Sequence, residues 1–104
     1  MKRLCCALFA LLPATLFAAY PIEVEKQLNG AEVSYTTQDI DHNLGSISLY
    51  NYGRAQARCT AVFRNGPEAP RTRKAVIEPG DTANMTVKFT RSIIRLRIKL
   101  TCEI

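Results

Sequence analysis

Hydrophobic and polar residues alternate with a period of two along most of the chain after residue 20. The clearest run is Arg91 to Cys102. There Ile94, Leu96, Ile98, Leu100 and Cys102 are expected to point one way, and Ile93, Arg95, Arg97, Lys99 and Thr101 the other. Successive side chains leave a pleated strand on opposite faces, so this pattern predicts a strand with one buried and one wet face. A second clean run places Ala55, Ala57, Cys59, Ala61 and Phe63 against Gln56, Arg58, Thr60, Val62 and Arg64. Five weaker runs complete the set. Ile22 to Leu28 has Lys26 at one inward position, and Glu32 to Gln38 turns Val33, Tyr35 and Thr37 to one face. Leu44 to Asn51 sets Gly45, Ile47 and Leu49 opposite Ser46, Ser48 and Tyr50, while Thr72 to Glu78 and Ala83 to Phe89 are the last two.

Turn formers separate these runs. Asn29-Gly30 is the dipeptide that best signals a tight hairpin, because both residues tolerate positive φ. Asp39 to Asn43 reads as a polar loop, Asn51-Tyr52-Gly53 as a turn, Asn65 to Pro70 as a loop and Pro79-Gly80-Asp81 as another turn. Seven short strands with turn signals about every ten residues, and no helical period among them, predict a two-sheet antiparallel sandwich or a small barrel. We expect the former: an all-β, seven-stranded antiparallel immunoglobulin-like sandwich. Tryptophan is absent, so the antibody pattern of cysteine, tryptophan and cysteine is not met.

The first residues read as an address. Lys2 and Arg3 precede an apolar run from Leu4 to Phe17, and Ala18-Ala19 supply small residues for cleavage. Residues 1–18 are therefore expected to be a signal peptide and residues 19–104 a single domain, periplasmic or secreted. The apolar run falls short of the about 20 residues a membrane span needs, so no transmembrane segment is expected in the mature protein. Removing the leader takes Cys5 and Cys6 with it and leaves Cys59 and Cys102, an even count in an oxidising compartment. Both lie on apolar faces, so they are expected to pair either across the core or between neighbouring strands. The bond would close a loop of about 43 residues, worth about 4 kcal/mol in the chain-entropy model. The mature chain keeps twelve Lys and Arg against nine Asp and Glu, a mild excess of +3.

Catalysis is poorly supplied. His42 is the only histidine, so any histidine-based acid–base scheme rests on one residue in a polar loop. Asp39, Asp41 and His42 are close in sequence, but structural metal sites draw ligands from separate elements; these residues read as turn formers. Both mature cysteines are expected to be paired. The chain is therefore read as non-enzymatic, with neither metal nor cofactor. The remaining signal is cationic. Arg95, Arg97 and Lys99 are expected to project from one strand face at roughly 6.6–6.8 Å intervals, and Arg58 joins them if the disulfide draws its strand close. Such a surface attracts an anionic envelope ligand or an acidic protein; nucleic acid is disfavoured because nothing places aromatics for stacking beside the charge. The contrasting expectation is a structural or inhibitory envelope protein. It would dock through a strand edge or the 65–71 loop, its cations serving solubility and blocking edge pairing.

Three stretches together carry a resemblance: Tyr20 to Gly30, Phe63 to Arg71, and Ile94 to Cys102. They resemble a family of small exported proteins of Gram-negative bacteria, some of which bear the label phosphoglycerate kinase. The resemblance covers nearly the whole chain and implies an exported compartment but no chemistry. The kinase label does not suit these residues. That enzyme is several times longer, is built of two α/β domains and works in the cytosol, whereas this chain has neither a βαβ pattern nor a glycine-rich phosphate loop.

Overall fold

The computed structural model describes residues 20–104. The expected signal peptide, and the cleavage near Ala18, lie outside the described residues. Among the described residues seven strands follow one another: β1 (Ile22–Gln27), β2 (Val33–Asp41), β3 (Leu44–Asn51), β4 (Ala57–Arg64), β5 (Arg71–Ile77), β6 (Thr82–Lys88) and β7 (Leu96–Glu103). They form two sheets packed together in a sandwich-like, all-β arrangement. One sheet has the order β1-β7-β4-β5 and the other β2-β3-β6. Among the described residues no helix is long and apolar enough to cross a membrane.

The alternation puts one face of each strand into the core. From the larger sheet come Ala57, Cys59, Ala61 and Phe63 of β4 and Leu96, Ile98, Leu100 and Cys102 of β7, all buried. From the smaller sheet come Val33, Ile47, Leu49, Met85 and Val87, with Phe89 and Ile93 closing one end. Gly45 faces inward where the sheets approach closely. A Cβ there would stand 2.7 Å from the Leu96 Cδ2, so the position admits no side chain without a shift.

One pairing departs from an all-antiparallel sandwich. β1 runs parallel to β7, with Ile22 beside Leu96 and Gln27 beside Thr101. The Asn29-Gly30 turn forms as its composition demands, with φ of 48° and 90°, and the Ala31 amide donates to the Leu28 carbonyl at 2.8 Å. It does not close a hairpin, however. It carries the chain from one sheet to the other, because Ile22 and Val24 pack on the core from the β7 side while Ala31 and Val33 enter it from the β3 side. Turn chemistry fixes a reversal of direction; the core decides which edge each arm joins. Lys26, expected at an inward position, stays exposed at the sandwich edge, its Nζ 5.7 Å from the Tyr35 ring centroid.

Two further boundaries differ from expectation. β2 extends through Asp41, so the loop expected over 39–43 shrinks to a His42-Asn43 turn with a bulge between Asp39 and Asp41. The last strand begins at Leu96 rather than Arg91. Ile93 is buried at 6% exposure and Ile94 is 84% exposed, the reverse of the expected facing. The period breaks because residues 90–95 form a loop whose backbone is anchored elsewhere: Ile93 donates to the His42 carbonyl and Leu96 to the Pro21 carbonyl.

Asn51 knots the end of the smaller sheet to its surroundings. It is fully buried, and its Nδ2 donates to the carbonyls of Ala55 (2.8 Å) and Ile77 (2.9 Å). Its Oδ1 accepts from the Gly53 amide at 2.9 Å, while its own backbone bonds to Gly80 and Asp81. Asn51→Ala leaves the buried Ile77 carbonyl and the partly buried Ala55 carbonyl and Gly53 amide without their partner, at about 1–3 kcal/mol for a buried group. The expected loss is about 3 kcal/mol in urea unfolding, far more than for Asn84→Ala on the exposed face of β6.

Cys59 and Cys102 form a disulfide with a Cα–Cα distance of 4.0 Å. They are direct cross-strand partners on β4 and β7, so the bond lies within one sheet and does not bridge the two. Replacing both cysteines by alanine removes the closed loop of 43 residues. We expect a fall of about 4 kcal/mol in unfolding free energy, measured by urea denaturation of the variant against the oxidised protein.

Candidate functional site

The β4–β7 register determines which cations meet. Cys59 faces Cys102, so Arg64, five residues on, faces Arg97, and Arg58 faces Glu103. Arg58 is six residues from Arg64 along β4, roughly 20 Å at strand rise. It therefore shares no surface with Arg97, contrary to expectation, and lies in a shallow depression with Lys74 and Val76. Lys99 stands one pleat beyond Arg97, between Val62 of β4 and Glu25 of β1. Arg95 precedes the strand and comes from the 90–95 loop.

A different constellation emerges at this end of the sheet. Arg64, Arg91, Arg95 and Arg97 line an open groove of about 560 Å³ together with Gly66, Pro67, Ser92 and Ile94. Among the described residues no carboxylate lines it. Glu23 of β1 reaches its margin and pairs with the Nε atoms of both Arg95 (3.6 Å) and Arg97 (3.7 Å). All three side chains are about half exposed, so each pair contributes little stability. Among the described residues the guanidinium groups of Arg64 and Arg91 form no ion pair with a carboxylate. Like charges directly opposite on adjacent strands are destabilising, and Arg64 and Arg97 form such a pair.

The groove walls are tied together. Asn65 is buried, and its Nδ2 donates both to the Glu68 Oε2 (3.1 Å) and to the Arg91 carbonyl (3.2 Å). The Glu68 carboxylate accepts from the backbone amides of Thr90 (3.1 Å) and Arg91 (2.8 Å). Arg71 stands 4.0 Å from the same carboxylate, donates to the Lys88 carbonyl and covers the Phe89 ring. A loop that lacks strand pairing is thereby held in one shape by one carboxylate and one amide.

Sequence reasoning recognised Arg95 and Arg97 but passed over Arg64 as a partner, and it did not single out Arg91. Arg64 was legible: an antiparallel pairing of the two cysteine strands puts it opposite Arg97. Arg91 was not, because its placement depends on Glu68 and Asn65 capturing the loop. His42, at the hairpin tip, contacts the Asp41 Oδ1 through its amide (2.7 Å) and ring Nδ1 (3.2 Å). Among the described residues no three His, Cys, Asp or Glu side chains are grouped to hold a metal ion. No family model matches the chain, nor does any curated protein or solved structure.

Burial works to raise the Glu68 pKa. The hydrogen bonds from Arg91, Thr90 and Asn65, with the charge of Arg71, outweigh it and hold the carboxyl below its ordinary value. A depressed folded pKa contributes stability that is present above the ordinary glutamate range and lost as pH falls through the folded value. Unfolding free energy should therefore decline from about pH 4.3 downward, and Glu68→Gln should decline less over the same window. Paired urea titrations at neutral and acid pH measure the difference.

Proposed function

We propose that this protein is a small exported binding module, built as an immunoglobulin-like sandwich, that captures an anionic group without catalysing its conversion. The observation that carries the reading is the groove of four arginines, free of carboxylates in its lining, with Arg64 and Arg97 directly opposed. Like charge that Glu23 at the margin only partly compensates is unfavourable until an anion occupies the groove. Guanidinium groups suit phosphate, sulfate or carboxylate through paired hydrogen bonds. The functional surface is therefore Arg64, Arg91, Arg95 and Arg97, with Lys99 as a flanking charge and Arg58 outside it. The immunoglobulin-like description is supported by two sheets of four and three strands, although the cystine lies within a sheet instead of joining two. Export is supported by the composition of residues 1–18 and by the disulfide, which persists in oxidising compartments. The resemblance to small exported proteins of Gram-negative bacteria points to the same compartment.

The test is binding of the oxidised protein to inorganic polyphosphate at low and high salt. Affinity is expected to fall steeply with salt. Arg64→Ser, Arg91→Ser and Arg97→Ser should each weaken it roughly tenfold, since a hydrogen bond to a charged group contributes ~1.5–3 kcal/mol. Arg58→Ser, remote from the groove, should change it little. An absence of binding, or equal losses from Arg58→Ser and Arg64→Ser, rules the groove out. The cations would then serve solubility, and docking through a strand edge or the 65–71 loop would be the better account.

A further inference from the structure

Ile94 is not explained by the capture of a soluble anion. It is 84% exposed, more than any other large hydrophobic side chain among the described residues. A single exposed isoleucine is ordinary on a protein surface; the surroundings of this one are not. Arg91 and Arg95 flank it in the same loop, and Ile94 lines the groove together with them and with Arg64 and Arg97. Nor is the exposure a frayed end. On one side Ile93 is buried and bonded through its amide to the His42 carbonyl, and on the other Leu96 is buried and bonded to the Pro21 carbonyl. Glu68 holds the amides of Thr90 and Arg91 just upstream. Between these anchors only Ile94 and Arg95 are left over, so Ile94 cannot turn inward unless Ile93 gives up its place.

An exposed apolar side chain among four cations matches an occupant that is charged at its surface and apolar just beneath. We propose that the groove end of the larger sheet docks onto a lipid bilayer bearing anionic headgroups. The four arginines take the lipid phosphates, and the Ile94 side chain enters the boundary between headgroups and acyl chains. This rests on the anion reading of the groove and adds its source. Arginine forks bind phosphate oxygens in pairs, basic residues near an anionic leaflet each add to the attraction, and a shallow apolar insertion adds buried area. The membrane is touched and not crossed. Glu23, paired with Arg95 and Arg97 at the groove margin, is the internal counter-charge that a phosphate displaces.

The absence of tryptophan from the sequence makes Ile94→Trp a single-site reporter. The measurement is flotation of the oxidised protein with phosphatidylcholine vesicles, with and without phosphatidylglycerol, alongside binding to inorganic polyphosphate. The wild type should float only with the anionic vesicles and should be released by salt. Ile94→Trp should show a blue-shifted emission with those vesicles alone. Ile94→Ser should lose about tenfold or more in vesicle affinity and far less toward polyphosphate, whereas Arg91→Ser and Arg97→Ser should weaken both. Polyphosphate binding with no flotation, an emission unmoved by anionic vesicles, or an Ile94→Ser protein that floats like the wild type would each overturn the membrane proposal while leaving the anion reading standing. Capture of an acidic protein in place of vesicles would overturn it too. Loss of polyphosphate binding as well would remove the reading beneath it.

Discussion

The cystine between Cys59 and Cys102 sets the register of the two central strands, and most of the molecule follows from that register. In a half-buried sheet a slip of one residue turns every inward side chain outward. Here the slip is blocked covalently at a position where both sulfurs face the core. Phe63 and Ala61 of β4 therefore meet Ile98 and Leu100 of β7, and the inner face is continuous. The same constraint works on the wet face. It sets Arg58 beside Glu103, where charge is balanced, and Arg64 beside Arg97, where it is not. A bond that stabilises by limiting the unfolded chain thus also selects which cations share a surface.

The edges are managed by other means. β1 covers the outer side of β7 as a parallel strand, and its Glu23 and Glu25 lie in register with Arg97 and Lys99. That pairing partly compensates the outer row of cations and leaves the charge concentrated toward the loops. At the opposite end Asn51 supplies hydrogen bonds that strands cannot, joining β3 to β5 and to the turns on either side. Buried polar groups are tolerated when their partners are complete, and Asn51 is the clearest instance. Asn65 and Glu68 play the corresponding part at the groove, where the backbone of residues 90 and 91 would otherwise have no partner from the strand ladder.

The groove concentrates charge where the fold gains nothing from it. Arg64 opposite Arg97 is an unfavourable cross-strand pair, the Arg91 guanidinium has no ion-pair partner among the described residues, and Ile94 is exposed between the buried Ile93 and Leu96. Local departures from what stability alone favours tend to mark functional sites. The departures here lie together, at one end of the β4–β7 pair and on the loop fixed beside it, and loops held by a rigid scaffold are where binding residues are commonly carried.

The sequence by itself determined the seven strands and most of their inward faces, with both cysteines on them, because a period of two is a local property that the chain displays without reference to its neighbours. It also contained the signal for Arg64, available once the two cysteine strands are taken as antiparallel neighbours. Tertiary structure decided the rest. The Asn29-Gly30 turn dictates a reversal but not a hairpin, since the choice of sheet depends on which core the flanking apolar residues fill. The alternation from Arg91 to Cys102 looks unbroken, yet it fails before Leu96. The carbonyls of His42 and Pro21 and the carboxylate of Glu68 capture the loop by accepting from its backbone amides, and those partners are 22 to 75 residues away in the chain. Ile93 and Ile94 are chemically identical; only contacts distant in sequence choose which of them is buried and which meets solvent.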